Sequence, residues 1–552
     1  MGIGWRVAAA VLLVLLSPGL SAQQSDAERQ SMEELRNTVI NLLQTLVERG
    51  VITREQAEAM VKNAQDKAAQ AAATAAQQRK EEAGAVRVPY VPEIVKDQIR
   101  KDVVADLGPD IKKEVTQQLG SKGTVFSALP AWVQRMTWSG DIRVRGEGDL
   151  FASDNITNTN VLNTYFNYNE INALGGFQKA GTLEFLNTTR DQDRLRLRAR
   201  FGFDTDLDGG WSAALRIATG STGEVIATTN QTLGTYGAGY TATIDQGYVR
   251  WTGSWSEGSQ IFTAYGGRFA NPWLGTDLIW YNDLTFEGVA SNYRVNFSDD
   301  DEYRKELFLT AAALPLTSYS PLDTQPTAKQ KWLLAAQLGL DLHFEDDSRL
   351  RFGAAYYDYQ HIVGQRNSLD TTFNNWTAPA FVQKGNTMFD IANPSLPGSV
   401  NLFALAADFR IADVIGVGEL ALGSSYSLGL TLEALRNLGF NAAEVQARYG
   451  SYVQPRTRGY RADLSFGTRS PPAFGDWRAT LGYRYLQRDA VLDAFNDEDF
   501  HLGGTDTRGY TAILDFTFTP HVWMRMKYMS ANEIDGPPLG IDVWQLDMNT
   551  SF

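Results

Sequence analysis

Between Trp138 and Phe552 the chain changes polarity at every second residue. In Ser139-Gly140-Asp141-Ile142-Arg143-Val144-Arg145-Gly146-Glu147-Gly148-Asp149 the charged and hydroxylic side chains fall on one side, and Gly, Ile and Val fall on the other. Arg194-Leu195-Arg196-Leu197-Arg198-Ala199-Arg200-Phe201 repeats the arrangement with every arginine on one side. A period of two is that of a β-strand whose faces meet different surroundings. One such strand would be the solvated side of a soluble sheet. Here the pattern returns in segments 211–218, 245–252, 261–268, 284–293, 307–313, 332–344, 349–357, 402–411, 419–426, 458–466, 477–488, 510–518, 522–529 and 544–552. That makes about 16 strands of about eight to twelve residues, an even number in the range of bacterial transmembrane barrels. The expected fold class is all-β transmembrane: a closed antiparallel outer-membrane β-barrel over 136–552, one face to lipid and one to an aqueous lumen. Closure is compulsory, since an open edge would leave backbone groups unpaired in hydrocarbon.

The connections alternate in length. Short polar turns at 204–210, 345–347 and 519–521 alternate with long loops such as 152–190 and 360–400. Short turns face the periplasm in such barrels and long loops face outward, which puts both ends of the barrel on the periplasmic side. Trp138, Trp211, Trp251, Trp332, Trp477, Tyr510 and Trp544 lie near strand ends, where interfacial girdles form.

The chain before the barrel has a different texture. Residues 1–22 carry Arg6, an apolar run from Val7 to Leu16 and small residues up to Ala22, the pattern of a secretory signal peptide. Residues 23–130 are expected to form an α-helical periplasmic region. Met32, Leu35, Val39, Leu42 and Leu46 recur at steps of three and four, a coiled-coil seam. Gly50 suits a helix end, and Thr53-Arg54-Glu55-Gln56 suits the start of the next helix. Val88-Pro89-Tyr90-Val91-Pro92 breaks the helical pattern. An oligomerisation stalk, in reach of the cell wall, and a plain helical linker both fit this region.

Composition removes other classes. The formal charge of -14 gives no basic footprint for nucleic acid. With no cysteine, neither disulfides nor thiolate metal sites are available. The 4 histidines, His343, His361, His501 and His521, are scattered and show no metal-site spacing. Neither a phosphate-binding loop motif nor a nucleophile elbow is present. No catalytic residue, metal or cofactor is therefore expected, and the protein reads as a non-enzyme.

If apolar residues face lipid, the lumen wall carries Arg143, Arg145, Arg194, Arg196, Arg198, Arg200, Arg268, Arg349, Arg351 and Arg484 as pore-lining candidates. Inward acids such as Asp141, Glu147, Asp149, Glu287 and Asp547 are fewer. Arginines in a confined pore favour anions. Pairing between inward Arg and Asp or Glu on neighbouring strands would instead brace the wall. The segment Gly267 to Trp280 occupies the third outward loop, which makes Arg268, Asp277 and Asp283 candidates for a constriction.

These features together resemble a known family. The short signal peptide, the element Glu48 to Ala57, the first strand Trp138-Ser139-Gly140-Asp141-Ile142-Arg143, the segment Gly267-Arg268-Phe269-Ala270-Asn271-Pro272 and terminal Phe552 look like the putative porin family of Gram-negative bacteria. The chain is also loosely similar to phosphate-selective porins with sixteen-stranded barrels. The resemblance implies the cell outer membrane and its lipid as surroundings, a homotrimer, and passive diffusion of small hydrophilic solutes or anions. It also makes Phe552 the signal read by the barrel assembly machinery, although Thr550 departs from the apolar residue that signal prefers. The competing expectation is an outer-membrane anchor that tethers the envelope through its helical region.

Overall fold

The computed structural model describes residues 131–157, 164–176, 184–220, 229–298, 304–318, 326–368, 371–392, 401–469 and 473–552. The expected signal peptide and helical region lie outside the described residues. After a single helical turn, α1 (Ala131–Gln134), the chain enters β1 (Met136–Phe151). Helix α2 (Tyr168–Leu174) sits in the first long loop before β2 (Gln192–Asp208), β3 (Trp211–Thr219) and the two-residue β4 (Gln231–Thr232). Then come β5 (Ala242–Trp255), β6 (Gln260–Ala270), β7 (Thr285–Asn296), β8 (Lys305–Thr317), β9 (Lys331–His343) and β10 (Arg349–Gln360). The fifth long loop contains the small hairpin β11 (Met388–Asp390) and β12 (Phe403–Leu405). The wall continues through β13 (Arg410–Leu422) and β14 (Tyr426–Asn437); helix α3 (Ala442–Tyr449) precedes β15 (Arg458–Thr468) and β16 (Trp477–Leu486). It ends with β17 (Thr507–Thr519), β18 (Val522–Glu533) and β19 (Gly540–Ser551).

Every wall strand pairs antiparallel with its sequence neighbours, and β1 pairs with β19 from Asp141↔Ser551 to Phe151↔Ile541. The sheet is thereby closed with 16 wall strands, β4 being a patch on β2. Closure joins the first and last strands, so no strand runs unpaired through the hydrocarbon along its whole length. The alternation explains the faces: along β19, Trp544, Leu546 and Met548 are exposed outward while Val543, Gln545 and Asp547 are buried inward. Exposed Trp138 on β1 and Trp544, whose partner is Gly148, mark two aromatic levels on neighbouring strands. Ten residues of tilted strand between those levels rise about 25 Å, the height of a barrel's apolar band.

Two expected strands are misplaced. Segment 402–411 is mostly not a wall strand: it holds β12, the loop before β13 and only the first two residues of β13. Segment 419–426 straddles the turn between β13 and β14. The inward residues Ile411, Asp413 and Ile415 on β13 are mostly apolar because they meet packed loops rather than water. The alternation that marks other strands is therefore lost there.

The outward loops fold back into the barrel. Trp273, Leu278, Ile279, Trp280 and Tyr281 of the third loop join Phe389, Ile391, Leu405 and Phe409 of the fifth, Val491 and Leu492 of the seventh, and Val445 of α3 in one apolar core. Strand residues Leu333, Tyr357, Tyr359 and Leu435 form its wall side.

Candidate functional site: the lumen wall and the third loop

The site is built on the β1–β2 pair. Its register sets Arg143 opposite Arg198 and Arg145 opposite Arg196. Directly opposed like charges are destabilising unless countercharges intervene, and here they do. Arg145 makes a bidentate pair with Asp547 of β19, at 2.7 and 2.9 Å, and meets Asp499 of the seventh loop at 3.1 Å. Arg194 contacts Glu147 at 2.9 Å and also pairs with Asp149; Arg196 reaches Glu147 at 3.3 Å and Glu498 at 4.0 Å. Arg198 and Arg200 share Asp141 and Asp283. Arg143 lies 3.8 Å from Asp283 and hydrogen-bonds to Asn230. With Lys527, 3.8 Å from Asp499, seven basic groups face seven carboxylates. The ladder is a neutralised network, which is the bracing arrangement rather than an open basic wall.

The third loop (residues 271–284, between β6 and β7) crosses the lumen. Leu274 exchanges hydrogen bonds with Gln337 of β9 at 2.8 and 2.7 Å. Thr276 donates from its backbone N–H and its hydroxyl to Glu433 of β14, and Asp277 pairs with Arg461 of β15, with Arg484 of β16 at 3.9 Å. At its end Asp283 meets β1 and β2. The loop is thus tied to strands on several sides of the barrel, the geometry of a constriction. Trp280 holds its centre, edge-on to Phe286 and Tyr357 at 5.1 Å each.

Burial alone would push the Asp283 carboxyl up, but Arg198, Arg143 and Arg200, with a hydrogen bond from Thr229, hold it below the ordinary carboxylate value. Asp499 is likewise buried, and Arg145 and Lys527 hold it low. Other loop groups shift the opposite way. Burial lowers Lys384 to about 8, and its ammonium donates to the carbonyls of His501 and Gly503. Burial, reinforced by the Asp489 charge, pushes Asp493 up to about 8. His501 is buried and held well below its usual value, first by burial and then by Lys384.

The expected residues divide into three groups. Arg143, Arg194, Arg196, Arg198 and Arg200 do face the lumen, as do Arg349 and Arg351 toward the short-turn end, where Arg349 pairs with Asp341 at 2.8 Å. Arg145 and Arg484 face inward but are each only 3% exposed. Arg484 is enclosed under the loops, 3.6 Å from Asp497 and with its guanidinium 4.9 Å from the Phe500 ring. They are therefore buried braces rather than open pore wall, because the inward loops cover them. Arg268 requires a correction. Its neighbours Gly267 and Phe269 point inward, so Arg268 lies on the outer face, where it pairs with Glu287 at 2.5 Å. Glu287, also expected inward, is outward with it.

Glu498 and Asp499 were not among the expected site residues, yet Asp499 is the seventh loop's main contact to the ladder. The acid run Asn496-Asp497-Glu498-Asp499 is the signal that marks them. Between ladder and loops lies a chamber of about 330 Å³ bounded by Glu147, Arg194, Arg196, Tyr281, Lys384 and Glu498.

Among solved structures, the high-pH form of OprB from Pseudomonas putida is 10% identical and aligns over 76% of this chain and 95% of its own, with a TM-score of 0.41. The channel DcaP of Acinetobacter baumannii is 11% identical over 76% of this chain and 97% of its own, with a TM-score of 0.35. OmpT of Vibrio cholerae with its eighth loop deleted is 10% identical over 76% and 100%, with a TM-score of 0.36. No curated protein matches the chain. The sequence profile of one family does match, along residues 36–552, and the chain belongs to that family, the putative porins.

Proposed function

We propose that this outer-membrane channel, a porin rather than an enzyme, passes small hydrophilic solutes and ions by passive diffusion along the β1–β2 arginine ladder, past the third loop. The observation that carries this reading is the loop itself, tied across a closed barrel beside a row of charged, partly exposed side chains. No chemistry is required: charges fixed along a confined path select by size and sign. Because acids match the ladder's bases, the anion bias is small. Family membership supports a homotrimer, with the long loops outward, the amino-terminal region periplasmic and the barrel assembly machinery as folding partner.

Single-channel recording of the refolded mature chain in planar bilayers, with the reversal potential taken in a salt gradient, tests this. Stepwise conductance with a small anion bias is expected. Silence from a correctly folded barrel overturns diffusion and leaves the anchor reading.

A further inference from the structure

The barrel wall is not zipped along its whole height. The β6–β7 ladder runs to the ends of both strands, at Ala270↔Thr285, and the β8–β9 ladder runs to Thr317↔Lys331. Between them the β7–β8 ladder stops at Val289↔Ala313. Thr285–Gly288 on one side and Leu314–Thr317 on the other therefore face each other without registered pairs, over about 13 Å of strand at the long-loop end.

Local chemistry explains the parting. Gly288 has φ +128 and its partner Gly267 has φ +126, a backbone region that L side chains rarely adopt, so the β6–β7 hairpin bends at this level. Strand β8 carries Pro315, which has no N–H to donate, and its pairing with β9 slips between Pro315 and Thr317. A side chain on Gly288 would lie 2.5 Å from the Ala313 carbonyl oxygen and 2.9 Å from Pro315 Cδ, so the two strands are still in contact at this pivot and part beyond it.

A cavity of about 240 Å³ occupies the gap. Its outer rim is Pro315 and the Arg268–Glu287 ion pair, and its floor is apolar: Phe286, Leu314, Phe381 and Phe495. At its inner end Lys331, 7% exposed, donates long hydrogen bonds of 3.4 and 3.3 Å to the carbonyls of Thr377 and Ala378. No carboxylate lies within 4 Å of this ammonium among the described residues. An ammonium has three donors, and a buried charge without a counterion is costly.

We propose that this notch is a lateral port through the barrel wall, which takes from the outer leaflet an amphiphile with a linear apolar body and a single carboxylate, the head resting on Lys331. Charge complementarity selects the occupant: an apolar trough ending at an ammonium that lies 5.9 Å from the Trp376 ring, with no carboxylate partner among the described residues, fits a medium-chain monocarboxylate better than a neutral lipid or a polyanion. The port is separate from the β1–β2 ladder; it rests on the outer-membrane placement and on the outward orientation of the long loops proposed above, but not on diffusion through the lumen.

The test uses the full mature chain in phosphatidylcholine nanodiscs with 11-(dansylamino)undecanoate as probe. Saturable fluorescence enhancement is expected for the parent protein. Lys331→Met should weaken it about tenfold or more, since a charged hydrogen bond is lost, and Lys331→Arg should retain it. The neutral amide of the probe should bind both equally. The chain has no cysteine, so Leu316→Cys reacts at one place only, and a bulky maleimide there should abolish probe binding while leaving the conductance of the lumen in its normal range. Probe binding that is unsaturable, or unchanged in both Lys331→Met and the blocked variant, overturns the port. A parent protein that conducts but does not take the probe overturns the port alone; one that takes the probe but is silent overturns diffusion alone.

Discussion

At the scale of single residues, Asp283 is the countercharge on which the ladder depends. It meets Arg198 at 2.9 Å, Arg200 at 3.3 Å and Arg143 at 3.8 Å. Asp283→Asn keeps the shape and removes the charge, leaving Arg143 without a carboxylate partner. Breaking a buried pair costs about 3–5 kcal/mol, so the third loop should loosen as the lumen becomes net positive. The expected result is a reversal potential moved toward anion selectivity, with larger conductance; unchanged selectivity would show that ions bypass the ladder. Acid should do the same more gradually. The folded Asp283 value lies below the ordinary one, so its contribution is full above about pH 4 and is lost as pH falls through the folded value. Asp493 has the opposite sign. Raised to about 8 by burial, and with Oδ1 unpartnered, it is neutral in the folded loop near pH 7. Its contribution is full below about pH 4 and is lost as pH rises through about 8. Asp493→Asn should therefore make proteolytic protection of the outward loops higher and flatter between pH 7 and 9, with Lys384 and Asp489 as the remaining titrating neighbours. Protection that still falls equally with pH in the variant would assign the effect to those neighbours. Arg268 shows where reading single residues fails. It was expected inward because it is charged, but the inward positions beside it are Tyr265 and Phe269, which pack on the loop core and on each other at 5.7 Å. Where loops fill the lumen, polarity along a strand is inverted.

At the scale of elements, the same cause separates what was legible from what was not. Strands β1, β2 and β19 announce themselves because their inward faces meet charges or water. Strand β13 does not, because Ile411 and Ile415 face the packed loops, and so its neighbour β14 was missed although Leu428, Leu430 and Leu432 alternate with Gly429 and Thr431. That the third loop folds into the barrel was readable from its order along the chain. Its partners Gln337, Glu433 and Arg461 were not, since they are brought together only by closure of the barrel. The loop's hold can be tested through Trp280, which is 1% exposed. Trp280→Ala removes a core aromatic at about 3–5 kcal/mol but leaves the wall strands intact. We expect folded barrels with larger and noisier single-channel steps. Unaltered steps would mean that the ion pairs of Asp277 and Asp283 hold the loop without the aromatic core.

At the scale of the whole molecule, the barrel exists only if its first and last strands meet, and Phe552 sits at that seam. Its N–H donates to the Gly140 carbonyl at 3.0 Å, and the Gly140 N–H donates to the Phe552 carbonyl at 2.9 Å. The phenyl ring lies over Gly140 on the outer face, where an added Cβ would come within 2.6 Å of Cζ. Closure of the seam and the proposed recognition by the assembly machinery would meet in this one residue, and they make different demands. The seam bonds are backbone bonds and survive loss of the ring, whereas the proposed recognition depends on the ring. Phe552→Ala should accordingly refold in detergent with nearly the parent's heat-modifiable mobility, while the amount assembled in cells drops sharply. Gly140→Val keeps the ring but displaces it, so it should weaken the closed barrel in both settings. If Phe552→Ala fails equally in detergent and in cells, the ring is a structural part of the seam, and the signal reading gives way to closure.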